Sequence, residues 1–143
     1  MPGKRPPSRP RSLKVVAAFL EKDGRILIAK RKDGDRFGGR WEFPGGKLEP
    51  GETAEACLER ELMEEFGVVT RVGRRLGSTR SVSAVLSIDL GAYEVFHLDG
   101  EFELREHDDL CWVPPDELAR YDLTEPDRRL LRRLLAAWKK GQP

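Results

Sequence analysis

The amino-acid sequence predicts an α+β fold in which helices cover a mixed β-sheet. Three observations lead to this prediction. Apolar, β-branched runs typical of strands outnumber helical segments, and the two kinds of element are mixed along the chain. The length of 143 residues suffices for one domain with a single core but not for two.

The first half of the chain is expected to form three strands and one helix. A turn signal at Lys22-Asp23-Gly24-Arg25 joins two apolar runs into a hairpin. A polar, glycine-rich loop follows, and Pro44 stops the third strand. Good helix formers then run up to Gly67, which suits a helix C-cap. The predicted strands are residues 13–20, 26–29 and 41–43, and the predicted helix is residues 53–66.

The second half is expected to contain four strands and two helices. Asp99-Gly100 is a turn signal, and Pro114-Pro115 opens a short helix that runs through Tyr121. The final helix carries leucines on one side, which predicts that this side packs on the sheet. The predicted strands are residues 68–72, 82–90, 92–97 and 110–113, and the final helix is residues 125–140.

The composition limits the partners that the chain can have. With 26 basic and 25 acidic residues, the net charge of +1 disfavours a dedicated nucleic-acid partner. No apolar stretch approaches the ~18 residues of a membrane span. Cys57 and Cys111 lie in apolar patterns and are expected to be reduced residues of a cytoplasmic protein. Residues 1–12, basic and proline-rich, are expected to be a disordered arm before a single domain of residues 13–140.

Three acids share one face of the predicted helix. Glu61, Glu64 and Glu65 stand at i, i+3 and i+4, a spacing at which like charges repel. At ~100° per residue, Glu65 falls about 20° outside the apolar stripe and Glu61 about 60° outside it, whereas Glu64 points toward solvent. The stripe consists of Leu58, Leu62 and Phe66.

Acids placed in this way need a compensating cation. No basic residue follows Glu61 or Glu64 at the i+3 or i+4 positions, and hard oxygen ligands suit Mg²⁺ or Mn²⁺. On the acids alone, a solvated surface helix is an equally good interpretation. In the loop before the helix, Gly45-Gly46 lets the backbone approach a ligand closely, and Lys47 places a cation near any bound phosphate. An ordinary solvated lysine is the alternative interpretation of Lys47.

Together, the loop and the helix resemble the Nudix box. Gly46 is followed after five residues by Glu52 and, after seven more, by Arg60-Glu61-Leu62-Met63-Glu64-Glu65-Phe66-Gly67-Val68, so every constrained position is filled. The resemblance continues upstream through Trp41-Glu42-Phe43-Pro44-Gly45-Gly46-Lys47. It covers the chain from residue 13 to the last helix.

The resemblance implies an α/β/α sandwich with a mixed β-sheet, the helix of the box lying in the cleft. It implies hydrolysis of a nucleoside diphosphate that is linked to another moiety. Glu61, Glu64 and Glu65 would hold divalent metal ions, with Mg²⁺ expected and Mn²⁺ as the alternative. The carbonyl of Gly45 would be a further ligand.

Further roles follow from the same resemblance. Arg60 and Glu52 are expected to pair and to brace the loop against the helix. Glu106, six residues before Trp112, matches a loop carboxylate that adds a metal ligand or acts as the base in relatives. Either Glu61 or Glu106 could accept the proton from the attacking water, and the sequence does not choose between them.

The chain is most similar to the MutT-like branch, which hydrolyses nucleoside triphosphates to the monophosphate and pyrophosphate. Arg31, just after the second strand, fits this branch, and Arg31 and Lys47 would add positive charge beside the phosphates. The expected partner is therefore a small-molecule nucleotide. Alternatives are another nucleoside diphosphate derivative, such as a dinucleoside polyphosphate, and a catalytically silent module that only binds nucleotide or RNA.

Two substrates compete within this branch. One is 8-oxo-dGTP, whose hydrolysis sanitises the nucleotide pool, and the other is a cytosine nucleotide. The Asn that reads the base in enzymes of the MutT type is absent, because Thr124-Glu125-Pro126 stands in its place. Asp127 resembles the acid of cytosine-preferring relatives and would accept a hydrogen bond from the base. An ordinary acid in the first turn of the last helix is an equally good interpretation.

Overall fold

The structure, a computed structural model, describes residues 11–35 and 37–141, with side chains described up to residue 136. The strands and helices follow one another without a repeat, as expected for an α+β chain. In chain order they are β1 (Arg11–Lys22), β2 (Arg25–Arg31), β3 (Trp41–Glu42), β4 (Gly45–Lys47), α1 (Ala54–Phe66), β5 (Val69–Val82), β6 (Leu86–Asp99), β7 (His107–Val113), a 3₁₀-helix (Pro115–Arg120) and α2 (Glu125–Gly141).

Strand β1 organises the fold, because two groups of strands diverge from it. Over ten residue pairs β1 runs parallel to β6, and it pairs antiparallel with the short β4. Strand β5 lies antiparallel beside β6. Strand β2 shares with β1 the two residue pairs next to the turn and then pairs antiparallel with β3 and β7. The predicted mixed sheet is confirmed.

Alternate residues of β1 enter two separate cores, one on each side of the sheet. Val16, Ala18 and Leu20 pack in the core that contains α1, whereas Ala17 and Phe19 pack in the core that contains α2. Burial on both sides explains why β1 is a continuous apolar run instead of an alternating one. The layers are therefore helix, sheet and helix, and the predicted α+β sandwich is confirmed.

Helix α1 forms where the sequence predicts it. The side chain of Thr53 caps its N-terminus by accepting a hydrogen bond from the amide of Ala56 at 3.1 Å. Gly67 ends it in the left-handed region at φ 71°, and its amide donates to the carbonyl of Met63. The predicted stripe of Leu58, Leu62 and Phe66 is fully buried, which stabilises the helix by roughly 1.5–3 kcal/mol per side chain.

The predicted strand boundaries in the second half are wrong. In place of strands at residues 68–72, 82–90 and 92–97, the chain forms the long hairpin of β5 and β6. The pairing crosses register shifts on both sides of Arg75, which a pattern of strict alternation does not anticipate. Gly91 does not break β6, because it stays paired with Ser78 beside the Tyr93 ring. The hydroxyl of Ser83 closes the hairpin through the amide and carbonyl of Leu86.

The ends of the domain differ slightly from expectation. Strand β1 begins at Arg11, so Arg11 and Ser12 belong to the sheet, and the rest of the predicted arm lies outside the described residues. The short helix after Pro114 is a 3₁₀-helix.

Cys57 and Cys111 are both free thiols, as predicted. Among the described helices, none is long and apolar enough to cross a membrane.

Candidate active site

The three glutamates of α1 lie at three different depths. Glu65 is 4 % exposed, the Glu61 side chain is 18 % exposed, and the Glu64 side chain is 50 % exposed. This order is the one that helical periodicity predicts from the position of the apolar stripe. The helix therefore presents carboxylate oxygens from the core boundary outward to solvent.

Strand β4 brings the glycine loop against this acidic face. Gly46 pairs with Val16 of β1, and a Cβ atom on Gly46 would overlap the Glu61 carboxylate. A Cβ atom on Gly45 would overlap the carbonyl of Val16. Position 45 thus requires glycine, because a side chain would overlap backbone atoms, whereas a side chain at position 46 would displace the Glu61 carboxylate. Lys47 follows as the exposed last residue of the strand.

Arg60 braces the loop and also compensates the acids. Its Nε and Nη2 donate to the two oxygens of Glu52 at 2.8 and 2.9 Å, the contact that the resemblance implies. Its Nη1 donates to Glu61 at 3.0 Å and lies 3.4 Å from both oxygens of Glu64. Arg60 lowers the pKa of Glu52 to about 2. This second role was not predicted from the sequence, because Arg60 precedes the acids instead of following them at i+3 or i+4.

The segment between β6 and β7 is held on the carboxyl end of α1. The amides of Glu103 and Arg105 donate to the carbonyls of Phe66 and Glu65, at 2.9 and 3.3 Å. The Arg105 guanidinium donates to the carbonyl of Met63 at 3.1 Å. The two amides satisfy carbonyls that the end of a helix leaves without partners, and the guanidinium is a second donor to the Met63 carbonyl, which also accepts from Gly67. These bonds also bring the exposed Glu106 close enough to α1 for its charge to act on the helix acids.

Two further residues, to which no role was assigned from the sequence, lie beside Glu65. Glu42 of β3 and His107 of β7 each place a ligand atom within 4.8 Å of a Glu65 oxygen and of one another. The Nε2 of His107 donates to Glu42 at 2.9 Å and lies 4.0 Å from Glu65. The sequence signal that could have pointed to Glu42 was its place in the stretch upstream of the box that also resembles the family. For His107 the signal was its place beside Glu106.

The cluster opposes ionisation of its acids. Burial raises the pKa of Glu65 to about 9, and the neighbouring charges of Glu61, Glu42, Glu106 and Glu64 act in the same direction. Burial also raises the pKa of Glu61, although Arg60 opposes that shift. So many carboxylates at one place are stable as anions only beside a cation.

The donor set fits a divalent metal ion. The Oε2 atom of Glu65 is buried and has no hydrogen-bond partner among the described residues. A buried polar atom without a partner normally costs stability, so its retention points to a ligand. Glu61, Glu64 and Glu106 supply further carboxylate oxygens, and hard oxygen donors of this kind suit Mg²⁺ or Mn²⁺.

The Arg31 guanidinium is already bound to two carboxylates. It donates to Glu42 at 2.8 Å and to Asp35 at 2.6 Å. It therefore holds the β3 carboxylate from one side while His107 holds it from the other. Lys47, in contrast, is exposed at the end of β4.

Asp127 lies in the first turn of α2, the helix that packs in the other core from α1. It is buried, and its Oδ2 accepts a hydrogen bond from the amide of Phe43 at 2.9 Å. Burial raises the pKa of Asp127 to about 7, although the bonds from Phe43 and Thr124 lower it. The structure thus uses this carboxylate to hold the backbone before the glycine loop, and the role of Asp127 in reading a base stays a prediction.

A cavity of about 280 Å³ lies between α2, the loop before β3 and the β5–β6 hairpin. Its lining includes Leu90 of β6. Leu90 pairs with Val15 of β1, and Val15 pairs in turn with Lys47 of β4, so the backbones of Leu90 and Lys47 are two strand spacings, or ~10 Å, apart. Phe37 contributes an aromatic ring to the lining of this cavity. The full lining is Phe37, Thr79, Ser81, Ile88, Leu90, Glu125, Pro126 and Arg129.

Comparison with known proteins identifies the family. Residues 10–134 match the model of the NUDIX domain. The chain is 39 % identical over 124 residues to the CTP pyrophosphohydrolase of Escherichia coli (strain K12), covering 87 % of this chain and 92 % of that protein. It is 40 % identical over 117 residues to a putative 8-oxo-dGTP diphosphatase 2 of Mycobacterium tuberculosis (strain ATCC 25618 / H37Rv), covering 80 % and 82 %.

A solved structure agrees with these relatives. The solution structure of the E. coli ORF135 protein superposes with a TM-score of 0.82 at 36 % identity, covering 94 % of this chain and 95 % of that one. The family match spans the acidic helix, the glycine loop and both cores. The chain therefore belongs to the NUDIX domain family and is a Nudix hydrolase.

Proposed function

We propose that this Nudix hydrolase is a Mg²⁺-dependent nucleoside triphosphate pyrophosphohydrolase that releases the nucleoside monophosphate and pyrophosphate. The observation that carries the proposal is the meeting of the α1 acids with the glycine loop. Glu61 packs directly on Gly46, Glu65 keeps a buried oxygen without a partner, and Glu106 is held nearby.

In this proposal, Glu61, Glu64 and Glu65 hold the divalent ion or ions together with the Gly45 carbonyl and Glu106. When bound, such ions neutralise the charge that develops on the nonbridging phosphate oxygens and acidify a bound water. The donor set is made of oxygens, which supports Mg²⁺, with Mn²⁺ as a substitute.

The reaction itself is a displacement at the β-phosphorus. The oxygen of water bonds to this phosphorus, and the bond to the oxygen that bridges the α- and β-phosphorus breaks, so the nucleoside monophosphate leaves. A carboxylate accepts the proton of the water. Glu61, which is half-buried and paired with Arg60, and Glu106, which is exposed, are the two candidates.

Lys47, whose side chain is exposed at the edge of the sheet, is proposed as the first cation that contacts the phosphates. Arg31 is the second candidate, but its guanidinium already binds Glu42 and Asp35. Its contribution to phosphate binding would require it to exchange one of these carboxylates for the substrate.

The base is proposed to occupy the cavity beside α2. The backbone of Leu90 in its lining lies ~10 Å from that of Lys47, which suits a nucleotide whose phosphates reach the glycine loop. The ring of Phe37 can stack on a base, and Glu125 can accept a hydrogen bond from an exocyclic amino group. Asp127 would act on base preference through the Phe43 backbone that it holds.

Two substrates fit this proposal, and each is supported by one of the relatives. A cytosine nucleotide is the substrate named for the E. coli relative, and 8-oxo-dGTP is named for the mycobacterial one. Hydrolysis of 8-oxo-dGTP would remove an oxidised nucleotide from the pool. The two free cysteines support a cytoplasmic setting for this role.

The test is pyrophosphate release with Mg²⁺ across a panel of substrates. The panel contains 8-oxo-dGTP, the eight common triphosphates, 5-methyl-dCTP, ADP-ribose and diadenosine tetraphosphate, and E64Q is the inactive control. We expect one triphosphate to dominate and E64Q to be silent. Turnover of the dinucleotide alone would move the assignment to another branch of the family. No turnover, with metal still bound, would support a silent binding module.

Base selection is tested separately with D127A, which removes the acceptor for the Phe43 amide, and with E125Q. If Asp127 or the cavity selects the base, the ratio of kcat/KM between the preferred and the next triphosphate should fall in the corresponding variant. Unchanged ratios in both variants would place base recognition outside this cavity.

A further inference from the structure

His107 is the buried residue that connects α1, β3 and β7. Its imidazole is buried, and its ring lies on the Phe66 ring at a centroid distance of 5.4 Å and an interplanar angle of 6°. Phe66 is itself fully buried at the end of α1. The orientation of the imidazole is therefore determined by the packing of the helix that carries the acids.

The hydrogen-bonding of the ring is asymmetric. Nε2 faces the Glu42 carboxylate at 2.9 Å, whereas Nδ1 is buried and has no partner among the described residues. A proton on Nε2 is bonded, and a neutral ring with its proton on Nδ1 would leave a buried donor unpaired. His107 thus donates from Nε2 to Glu42, and Arg31 donates to the other oxygen of the same carboxylate at 2.8 Å.

This donor stands between two carboxylates. Nε2 lies 2.9 Å from Glu42 Oε2 and 4.0 Å from Glu65 Oε1, and all three ligand atoms lie within 4.8 Å of one another. Without the imidazole, two acids would face each other inside the protein, where repulsion is poorly screened. With it, Glu65 Oε1 faces the ring, and Oε2 remains without a partner.

We propose that His107 is a positioning residue, which separates Glu42 from Glu65 and thereby keeps the unpaired oxygen of Glu65 directed at the cation site. The proposal rests on the proposed function, since it assigns Glu65 to metal binding. In this proposal, His107 does not bind the metal ion through Nε2. Coordination through Nε2 would break the bond to Glu42 and move the proton to Nδ1, where the described structure offers no acceptor.

Two substitutions separate the donor from the ring. H107F keeps a flat ring against Phe66 and removes the donor, whereas H107Q keeps an N–H donor near the position of Nε2 and removes the ring. His97 is the matched control, because it is the other histidine of the chain, is only partly buried, and also packs on a phenylalanine ring, that of Phe102. H97F therefore removes an imidazole outside the site.

The primary measurement is the affinity of the full chain for Mn²⁺ without nucleotide, followed by electron paramagnetic resonance of the free ion. Loss of an outer partner of a metal ligand typically weakens binding about 10–100-fold, and we expect this loss for H107F. H107Q should recover most of the affinity, and H97F should match the wild type. The kcat for pyrophosphate release should follow the Mn²⁺ affinity, with a smaller change in KM.

A double-mutant cycle tests the mechanism. In E42Q the charge that His107 separates from Glu65 is absent, so H107F should lose less Mn²⁺ affinity there than in the wild-type background. Equal losses in the two backgrounds would overturn the proposal. Equal losses in H107F and H107Q would also overturn it, because they would mean that the ring acts by packing. A nitrogen coupling to bound Mn²⁺ that vanishes in H107Q would overturn it as well, because it would make His107 a ligand.

Thermal unfolding shows that each variant is folded. If H107F does not fold, H107M, which keeps bulk without a donor, replaces it in the same cycle. Failure of the proposed function is distinguishable from failure of this inference. A wild-type protein that binds Mn²⁺ but turns over no nucleotide contradicts the function, and the Mn²⁺ affinities still decide the role of His107.

Discussion

Each face of the sheet buries one carboxylate among the described residues, Glu65 in α1 and Asp127 in α2. Burial raises the pKa of both groups, but their surroundings differ. Asp127 accepts bonds from Phe43 and Thr124 and holds the backbone before β4. Glu65 lies among other acids and keeps one oxygen without a partner. The partners of Asp127 assign it to the fold, whereas the unpaired oxygen of Glu65 supports the proposal that Glu65 binds a metal ion.

Replacing Glu65 should produce the largest effect. E65Q should lower kcat for pyrophosphate release by roughly 10³-fold, because several kcal/mol of transition-state stabilisation depend on the bound cation. Without metal, however, E65Q should be more stable than the wild type at pH 8. A folded pKa of about 9 against an ordinary 4.5 means that stability falls as pH rises between these values, and Gln removes this loss.

Thermal unfolding with and without Mn²⁺ measures both effects. Mn²⁺ should raise the Tm of the wild type by mass action and leave the Tm of E65Q nearly unchanged. A lower Tm of E65Q in the absence of metal would mean that Glu65 is a structural acid like Asp127, and the comparison would fail.

The corresponding change on the other face acts on stability. The pKa of Asp127 rises from 3.8 to about 7 on folding, so the wild type should lose free energy of unfolding as pH rises from 4 to 7. D127N can still accept the bond from Phe43 and has no proton to lose. Between these pH values the wild type should therefore lose roughly 2–4 kcal/mol more than D127N. Chemical denaturation at both pH values checks this, and parallel profiles would contradict it.

A smaller effect is expected from the residue that compensates the acids. R60A should lower the free energy of unfolding by about 1–3 kcal/mol, because it removes charged hydrogen bonds to Glu52 and Glu61. Mn²⁺ should restore part of this loss, since the cation takes over the compensation. Additive losses in R60A and E52A would show that the two side chains do not act as a pair.

The smallest effect should come from the end of α1. R105A should lower the free energy of unfolding by about 0.3–1 kcal/mol, because its guanidinium bonds the carbonyl of Met63 near the helix C-terminus. Faster hydrogen exchange at the amides of Glu103 and Arg105 should accompany it. R120A, which removes an exposed arginine elsewhere, is the control, and equal effects of the two variants would remove any special role for Arg105.

The helix that carries the acids could be predicted almost completely from the sequence. Its caps, its buried stripe and the order of exposure of its three glutamates follow from interactions within about four residues. The length of β5 and β6 could not be predicted, because the register shifts around Arg75 depend on pairing with another strand. The same holds for the second role of Arg60, which depends on how α1 presents one guanidinium to two elements.

The sequence by itself determined the family, the acidic helix and the glycine loop, because their residues act at short, constant spacing. Only the tertiary structure decided which distant residues complete the site. Glu42 and His107 stand 65 positions apart, and Phe43 and Asp127 stand 84 apart. Their contacts arise where β2 pairs with both β3 and β7 and where α2 packs on the other face. Such contacts depend on sheet order and register, which no local pattern of residues encodes.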